Sequence, residues 1–135
     1  MFTLEKIFPG IPETERARPF VLRSDPTEKK IIYGIASSVI IRSIDDPNIS
    51  EIVTNHAKKV TTACYSHSGY YICSGDITGS AKIWDTVNAE HSIKYEYQLM
   101  AGNINDIAWS DDNKRIVVVG QGRERYGSVI AWDSG

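Results

Sequence analysis

The chain has 135 residues, 41% of them hydrophobic, and a net charge of −2 from 15 basic and 17 acidic side chains. That composition fits an ordinary globular domain, and the mixed, nearly balanced charge offers no electrostatic footprint for nucleic acid or an anionic membrane. No apolar run approaches the ~20 residues of a membrane span. The opening MFTLEKIFPG lacks a signal-peptide core, so a cytoplasmic protein is expected.

Helical periodicity is nearly absent. Short β-rich runs alternate with turn signals such as Asp45-Asp46-Pro47, Ser68-Gly69 and Asp111-Asp112-Asn113. Residues 3–8 form a lone strand candidate, followed by a turn-rich stretch over 9–19. Runs at 20–24, 30–34 and 38–44 read as three strands, with 50–54 as an outer fourth. The pattern returns more clearly at 60–66, 70–75 and 80–85: an apolar strand ending in Ser66, a second ending in Gly75, and a third ending in Trp84-Asp85. Residues 93–97, alternating Ile, Tyr and Tyr with Lys94 and Glu96, complete it as an outer strand with one wet face. A further copy runs through 104–110, 115–120 and 128–133 and closes on Trp132-Asp133. In the weaker upstream copy Ser24 matches Ser66, Gly34 matches Gly75, and Arg42 takes the Trp84 position.

The two Trp-Asp pairs lie 48 residues apart, close to the roughly 40–45-residue period of WD-type propeller blades plus a small insertion. The expected fold is all-β: a partial WD-repeat β-propeller of about three four-stranded antiparallel blades. Residues 1–19 would be an N-terminal strand and linker, 20–55 a degenerate first blade, 56–98 a second, and 99–135 a third without its outer strand. Propellers close with roughly 4–8 blades, and an open array leaves terminal sheet faces wet. The chain is therefore expected to be the N-terminal piece of a longer protein or a short gene model, with self-assembly into a ring as a third option. The 3–8 strand is expected to close a ring by pairing with a distant C-terminal blade.

WD-type blades carry a buried hydrogen-bonded set of His, Ser or Thr, Asp and Trp, because buried polar groups must be paired. His56, Ser74 and Trp84 match three of these positions. Asp76 comes one residue before the usual acid, with Ile77 in its place. The next copy is more degraded, with Met100-Ala101-Gly102 near the His position and Val119 in place of Ser. His56, Asp85 and Asp133 are read as structural residues. His67 and His91 are expected in exposed turns or linkers.

Cys64 and Cys73 fall on neighbouring strands, where reduced core thiols are the expected state. No Cys/His ligand spacing supports a metal, no phosphate loop has the helix it needs, and no nucleophile–base arrangement is evident. No catalytic residue, metal or cofactor is expected, and the chain is read as a binding protein.

One segment departs from the repeat. The turn GQGRERYG, residues 120–127, spaces its outer glycines by seven where GDITG, residues 75–79, uses four. It joins second and third strands, on the ring face that propellers commonly use for partners. Arg123, Glu124, Arg125 and Tyr126 offer two cations, an acid and an aromatic, and Arg and Tyr are enriched at interface hot spots. The alternative is a solvated loop that keeps the face soluble. Lys58 and Lys59, beside His56, are expected to extend the same patch.

Four segments together, EKIFPGIPETERARP, SGDITGSAKIWD, KYEYQLMAGNINDIAWSDDNKRIVVVGQGRERYG and the ending WDSG, resemble the start of the actin-interacting protein 1 family over nearly the whole chain. The resemblance implies a longer protein of two seven-bladed propellers, without enzymatic activity, found on the cytoplasmic actin cytoskeleton. It implies binding to actin and to cofilin-decorated filaments, which the family severs, caps and disassembles. It also places an actin-contacting acid at Glu124, with Arg123, Arg125 and Tyr126 beside it. A generic WD-repeat interaction scaffold without actin activity is the alternative.

Overall fold

A computed structural model describes residues 2–4, 8–17 and 20–135. The first sheet holds β1 (Arg23–Ser24), β2 (Lys30–Ile35), β3 (Ser38–Ser43) and β4 (Ser50–Val53) in sequential antiparallel order. The second repeats that order with β5 (Val60–Tyr65), β6 (Tyr71–Asp76), β7 (Ser80–Asp85) and β8 (Ile93–Gln98). The third has three strands, β9 (Ile104–Trp109), β10 (Arg115–Gly120) and β11 (Gly127–Ala131). The strand expected over residues 3–8, and its ring-closing role, fall on positions 5–7, outside the described residues.

The same turn opens every sheet. In the second, Ser66 Oγ accepts the Tyr71 amide and Gly69 closes the turn at φ +79°. In the third, Ser110 Oγ accepts the Arg115 amide and Asn113 sits at φ 59°. In the first, Asp25 Oδ1 accepts the Lys29 and Lys30 amides and Glu28 takes φ 59°. Short polar side chains that cap their own turn explain the repeat. They also correct the alignment: Asp25, not Ser24, stands where Ser66 stands.

Strand register then fixes which residues are equivalent. Trp84 pairs across from Ile72, Arg42 across from Ile31, and Ile130 across from Ile116. Arg42 thus takes the Trp84 position, as the pattern predicts, but Trp132 does not. The third strand of the last sheet ends at Ala131, and the Trp132 amide bonds the Lys114 carbonyl just as the Thr86 amide bonds Tyr70. Trp132 therefore sits two positions beyond Trp84's place, and Ile130 fills that place.

Two apolar layers lie between the sheets. Between first and second, Ile32, Val39, Ile41 and Val53 pack on Val60, Ala63, Ile72 and Trp84. Between second and third, Cys73, Ala81 and Ile83 pack on Ile104, Ile107, Trp109, Ile116 and Val118. Burying such β-branched faces stabilises each interface by about 25 cal/mol per Å² removed from water. On the free face of the first sheet Tyr33 is buried and its hydroxyl donates to the Gly10 carbonyl at 2.7 Å. On the free face of the third, Val117, Val119 and Val129 are exposed. β8 is wet on both faces rather than one, with only Tyr97 partly covered. Cys64 and Cys73 face each other in register and are both free thiols, with burial pushing each thiol pKa up.

Candidate functional site

In the second sheet the structure joins His56, Ser74, Asp76 and Trp84 into one chain of hydrogen bonds. The Trp84 indole N–H donates to Ser74 Oγ at 3.0 Å, and Ser74 Oγ lies 2.7 Å from His56 Nε2. His56 Nδ1 lies 2.9 Å from Asp76 Oδ2. A carboxylate only accepts, so Nδ1 carries the proton, Nε2 accepts from the Ser74 hydroxyl, and Ser74 accepts from the indole. Donation runs one way from Trp84 to Asp76, with every member satisfied.

Asp76 Oδ1 then accepts the Thr78 amide and hydroxyl and the Ser80 amide, tying the network to its turn. The acid is therefore not displaced. Standing at the end of β6, one residue early by the usual count, it still reaches the ring from the strand's last pleat. Burial alone would raise its pKa, but hydrogen bonds from Thr78, His56 and Ser80 outweigh that and hold the carboxyl below its usual range. Burial lowers the His56 pKa, outweighing the pull of Asp76, so the ring is neutral in the fold.

Asp85 Oδ1 accepts the Val87 amide at 2.7 Å and Oδ2 the Asn88 side chain at 3.0 Å, capping the turn after β7. Asp133 is exposed and makes no hydrogen bond or ion pair among the described residues. His67 is exposed, as expected, but His91 is not: its side chain keeps 10% of its accessibility and stacks edge-on against Trp84.

The third sheet replaces the whole network with apolar groups. Met100 stands at the His56 position, four residues before its inner strand, and is buried. Val118, not Val119, pairs where Ser74 pairs, and it is fully buried. Gly120 takes the Asp76 place and Ile130 the Trp84 place. Trp132, freed from that network, joins an aromatic group with Tyr71, Tyr95 and Trp109, and its carbonyl accepts the Tyr97 hydroxyl at 3.0 Å.

The long turn over residues 120–127 is held against the preceding linker by its backbone. The Gln121 amide donates to the Asn103 carbonyl at 2.7 Å, and the Gly120 amide to the Tyr126 carbonyl at 2.9 Å. Such close approach needs glycine: a Cβ on Gly122 would lie 1.8 Å from the Arg125 carbonyl oxygen. The result presents the side chains of Arg123, Glu124, Arg125 and Tyr126 outward, all exposed, without a side-chain hydrogen bond or ion pair among the described residues. Residues 98–101 and 122–125 flank a groove of ≈ 430 Å³. Gln121 also borders a second cavity, of ≈ 290 Å³, together with Lys59, Asn103 and Asn105. Lys59 and the loop thus share one face. Lys59 is paired with Glu13 of the N-terminal segment at 3.4 Å, whereas Lys58 is exposed with no such partner among the described residues.

Sequential four-stranded antiparallel sheets, inner strands side by side, and the His–Ser–Asp–Trp chain define a segment of a WD-repeat β-propeller. The WD domain, G-beta repeat family matches residues 48–85, running from the outer strand of the first sheet to Trp84-Asp85 of the second. A chain in a crystal structure of the mitotic checkpoint complex superposes with a TM-score of 0.72 at 15% identity, over 84% of this chain and 34% of that one, a likeness of fold alone.

In sequence the chain belongs to the WD repeat-containing protein 1 family, which includes actin-interacting protein 1. It is 49% identical over 134 residues to WD repeat-containing protein 1-B of Xenopus laevis, covering 99% of this chain and 22% of the relative. It is 50% identical over 131 residues to actin-interacting protein 1 of Drosophila melanogaster, covering 97% of this chain and 22% of that protein. The Bos taurus relative is 48% identical over the same 99%. The chain therefore spans about a fifth of the length of these relatives.

Proposed function

We propose that this chain serves as a partner-binding part of an actin-interacting WD-repeat protein, a non-enzymatic protein of the actin cytoskeleton that acts with cofilin to sever, cap and disassemble filaments. The observation that carries the reading is the identity of about one residue in two along 99% of the chain with relatives that include actin-interacting protein 1. The glycine-anchored loop of Arg123, Glu124, Arg125 and Tyr126 is the proposed contact, with Lys58 and Lys59 on the same face. Its charged side chains have no described internal partner to give up, so binding breaks no internal ion pair of the loop. Preference for cofilin-distorted filaments requires contacts that undistorted actin does not offer, since only differential affinity shifts such an equilibrium.

Co-pelleting of the full-length protein with filaments, with and without cofilin, tests the partner: cofilin-dependent pelleting is expected. A WD-repeat scaffold without actin activity would stay in the supernatant in both cases. Reversing Glu124 and Arg125 together (Glu124→Lys with Arg125→Glu) is expected to weaken cofilin-dependent disassembly. Unchanged disassembly by a folded variant removes the loop from the site.

A further inference from the structure

The first blade seats the N-terminal segment with a polar chain of its own. Tyr33 stands where Ser74 stands in the second blade, as Arg42 stands where Trp84 does. The buried Tyr33 side chain donates its hydroxyl to the Gly10 carbonyl at 2.7 Å, and the Arg42 guanidinium reaches the same hydroxyl at 3.5 Å. Pro9 is buried, and Gly10 lies so close to the sheet that a Cβ on it would be 2.5 Å from Ile35 Cδ1.

Past this anchor the segment becomes acidic. Glu13 pairs with Lys59 at 3.4 Å, and both side chains are about half exposed. Glu13 and Glu15 line the ≈ 290 Å³ cavity together with Lys59, Asn103, Asn105 and Gln121, and Lys59 is the one cation among its lining residues. The side chains of Asn103, Asn105 and Gln121 make no hydrogen bond among the described residues. An ammonium and three amides with N–H groups to donate suit a carboxylate. While residues 13–15 lie across the cavity, two acids face that one cation, and a further carboxylate is repelled. Displacing those residues removes both acids and leaves Lys59, with exposed Lys58 next to it.

We infer that this cavity takes a carboxylate side chain of an acidic segment on the bound partner, and that Glu13 is its internal stand-in, closing the pocket until the partner displaces it. The inference rests on the reading of this face as the partner surface. Exposed ion pairs hold weakly, so displacing Glu13 costs the partner only about two- to five-fold in affinity. The bond at Gly10 keeps the strap in place to return when the partner leaves.

The test measures co-pelleting affinity of the full-length protein for cofilin-decorated filaments, with Glu13→Gln, Lys59→Gln and both changes together. Glu13→Gln should tighten binding about two- to five-fold. Lys59→Gln should weaken it, and the double variant should match Lys59→Gln alone, because the strap acts through that lysine. Glu90→Gln, at an exposed acid in the linker after β7, controls for the change of charge and should leave affinity where it is. Affinity unmoved by Glu13→Gln, an equal gain from Glu90→Gln, or a gain that persists without Lys59 overturns the inference while the partner reading stands. A wild type that does not pellet overturns both. Trace acylation of Lys59, read by mass spectrometry, needs no partner: Glu13→Gln should speed it, and an unchanged rate also overturns the inference.

Discussion

The second and third blades solve one packing problem in opposite ways. At four equivalent positions the second carries His56, Ser74, Asp76 and Trp84, joined end to end by hydrogen bonds. The third carries Met100, Val118, Gly120 and Ile130 there, with Val118 fully buried and Met100 4% exposed. Neither of these two blades mixes the two types at those positions. A buried polar network is tolerable only if all its members are paired, since each orphaned group costs about 1–3 kcal/mol. Losing one member of such a set therefore favours losing the rest. What the third blade gives up in polar wiring it does not need for cohesion, because Trp132 moves two positions outward and closes the rim with Tyr71, Tyr95 and Trp109. Its longer turn is left to present charged side chains, while the matching turn of the second blade is tied down by Asp76.

Several substitutions would break or sharpen that contrast. The largest effect is expected at the indoles. Trp84→Ala removes a fully buried ring and should cost about 3–5 kcal/mol in denaturant unfolding. Trp132→Ala, at a half-buried ring, should cost less than Trp84→Ala, and equal losses would erase the distinction between the two. Next, Ser74→Ala strands both the His56 ring and the Trp84 indole, and about 1–3 kcal/mol is expected. Val118→Ser in the third blade buries a hydroxyl with no partner and should destabilise by a similar amount, although it restores the residue type of the second blade.

The pH dependence is smaller and has a definite sign. The folded chain holds His56 below its ordinary pKa, so the unfolded chain binds that proton more readily. Stability from this site is complete above about pH 6.5 and declines as pH falls below it. Asp76 is also held low, so its contribution is lost only in more acid solution, as pH falls from about 4 downward. Thermal midpoints of the wild type and His56→Met across this range should show the first decline in the wild type alone. The smallest effect on stability is expected at the loop. Reversing Glu124 and Arg125 should shift unfolding by no more than about 0.5 kcal/mol, as for exposed residues without partners.

Much of this was legible in the sequence, and its failures have physical causes. Strand positions followed from alternation and from Ser, Asp, Asn and Gly at the turns, and the spacing of the glycines exposed the long loop. The equivalence of Trp84 and Trp132 did not survive, because a motif at a strand's end moves with the length of the turn before it, and only cross-strand pairing fixes its place. Asp76 looked misplaced because counting residues ignores which pleat points at His56. Val119 was taken for the Ser74 counterpart for the same reason, one residue out of phase. His91 looked exposed because its partner Glu51 lies 40 residues away on another blade, and no local pattern announces a contact of that kind.

The most direct measurement is the unfolding free energy of the second blade rebuilt in the image of the third, with His56→Met, Ser74→Val, Asp76→Gly and Trp84→Ile together, set against the four single variants. If the network stands or falls as a unit, the fourfold variant loses less than the sum of the singles, by about 1–3 kcal/mol. A fourfold loss equal to that sum would show four independent contacts and contradict the account.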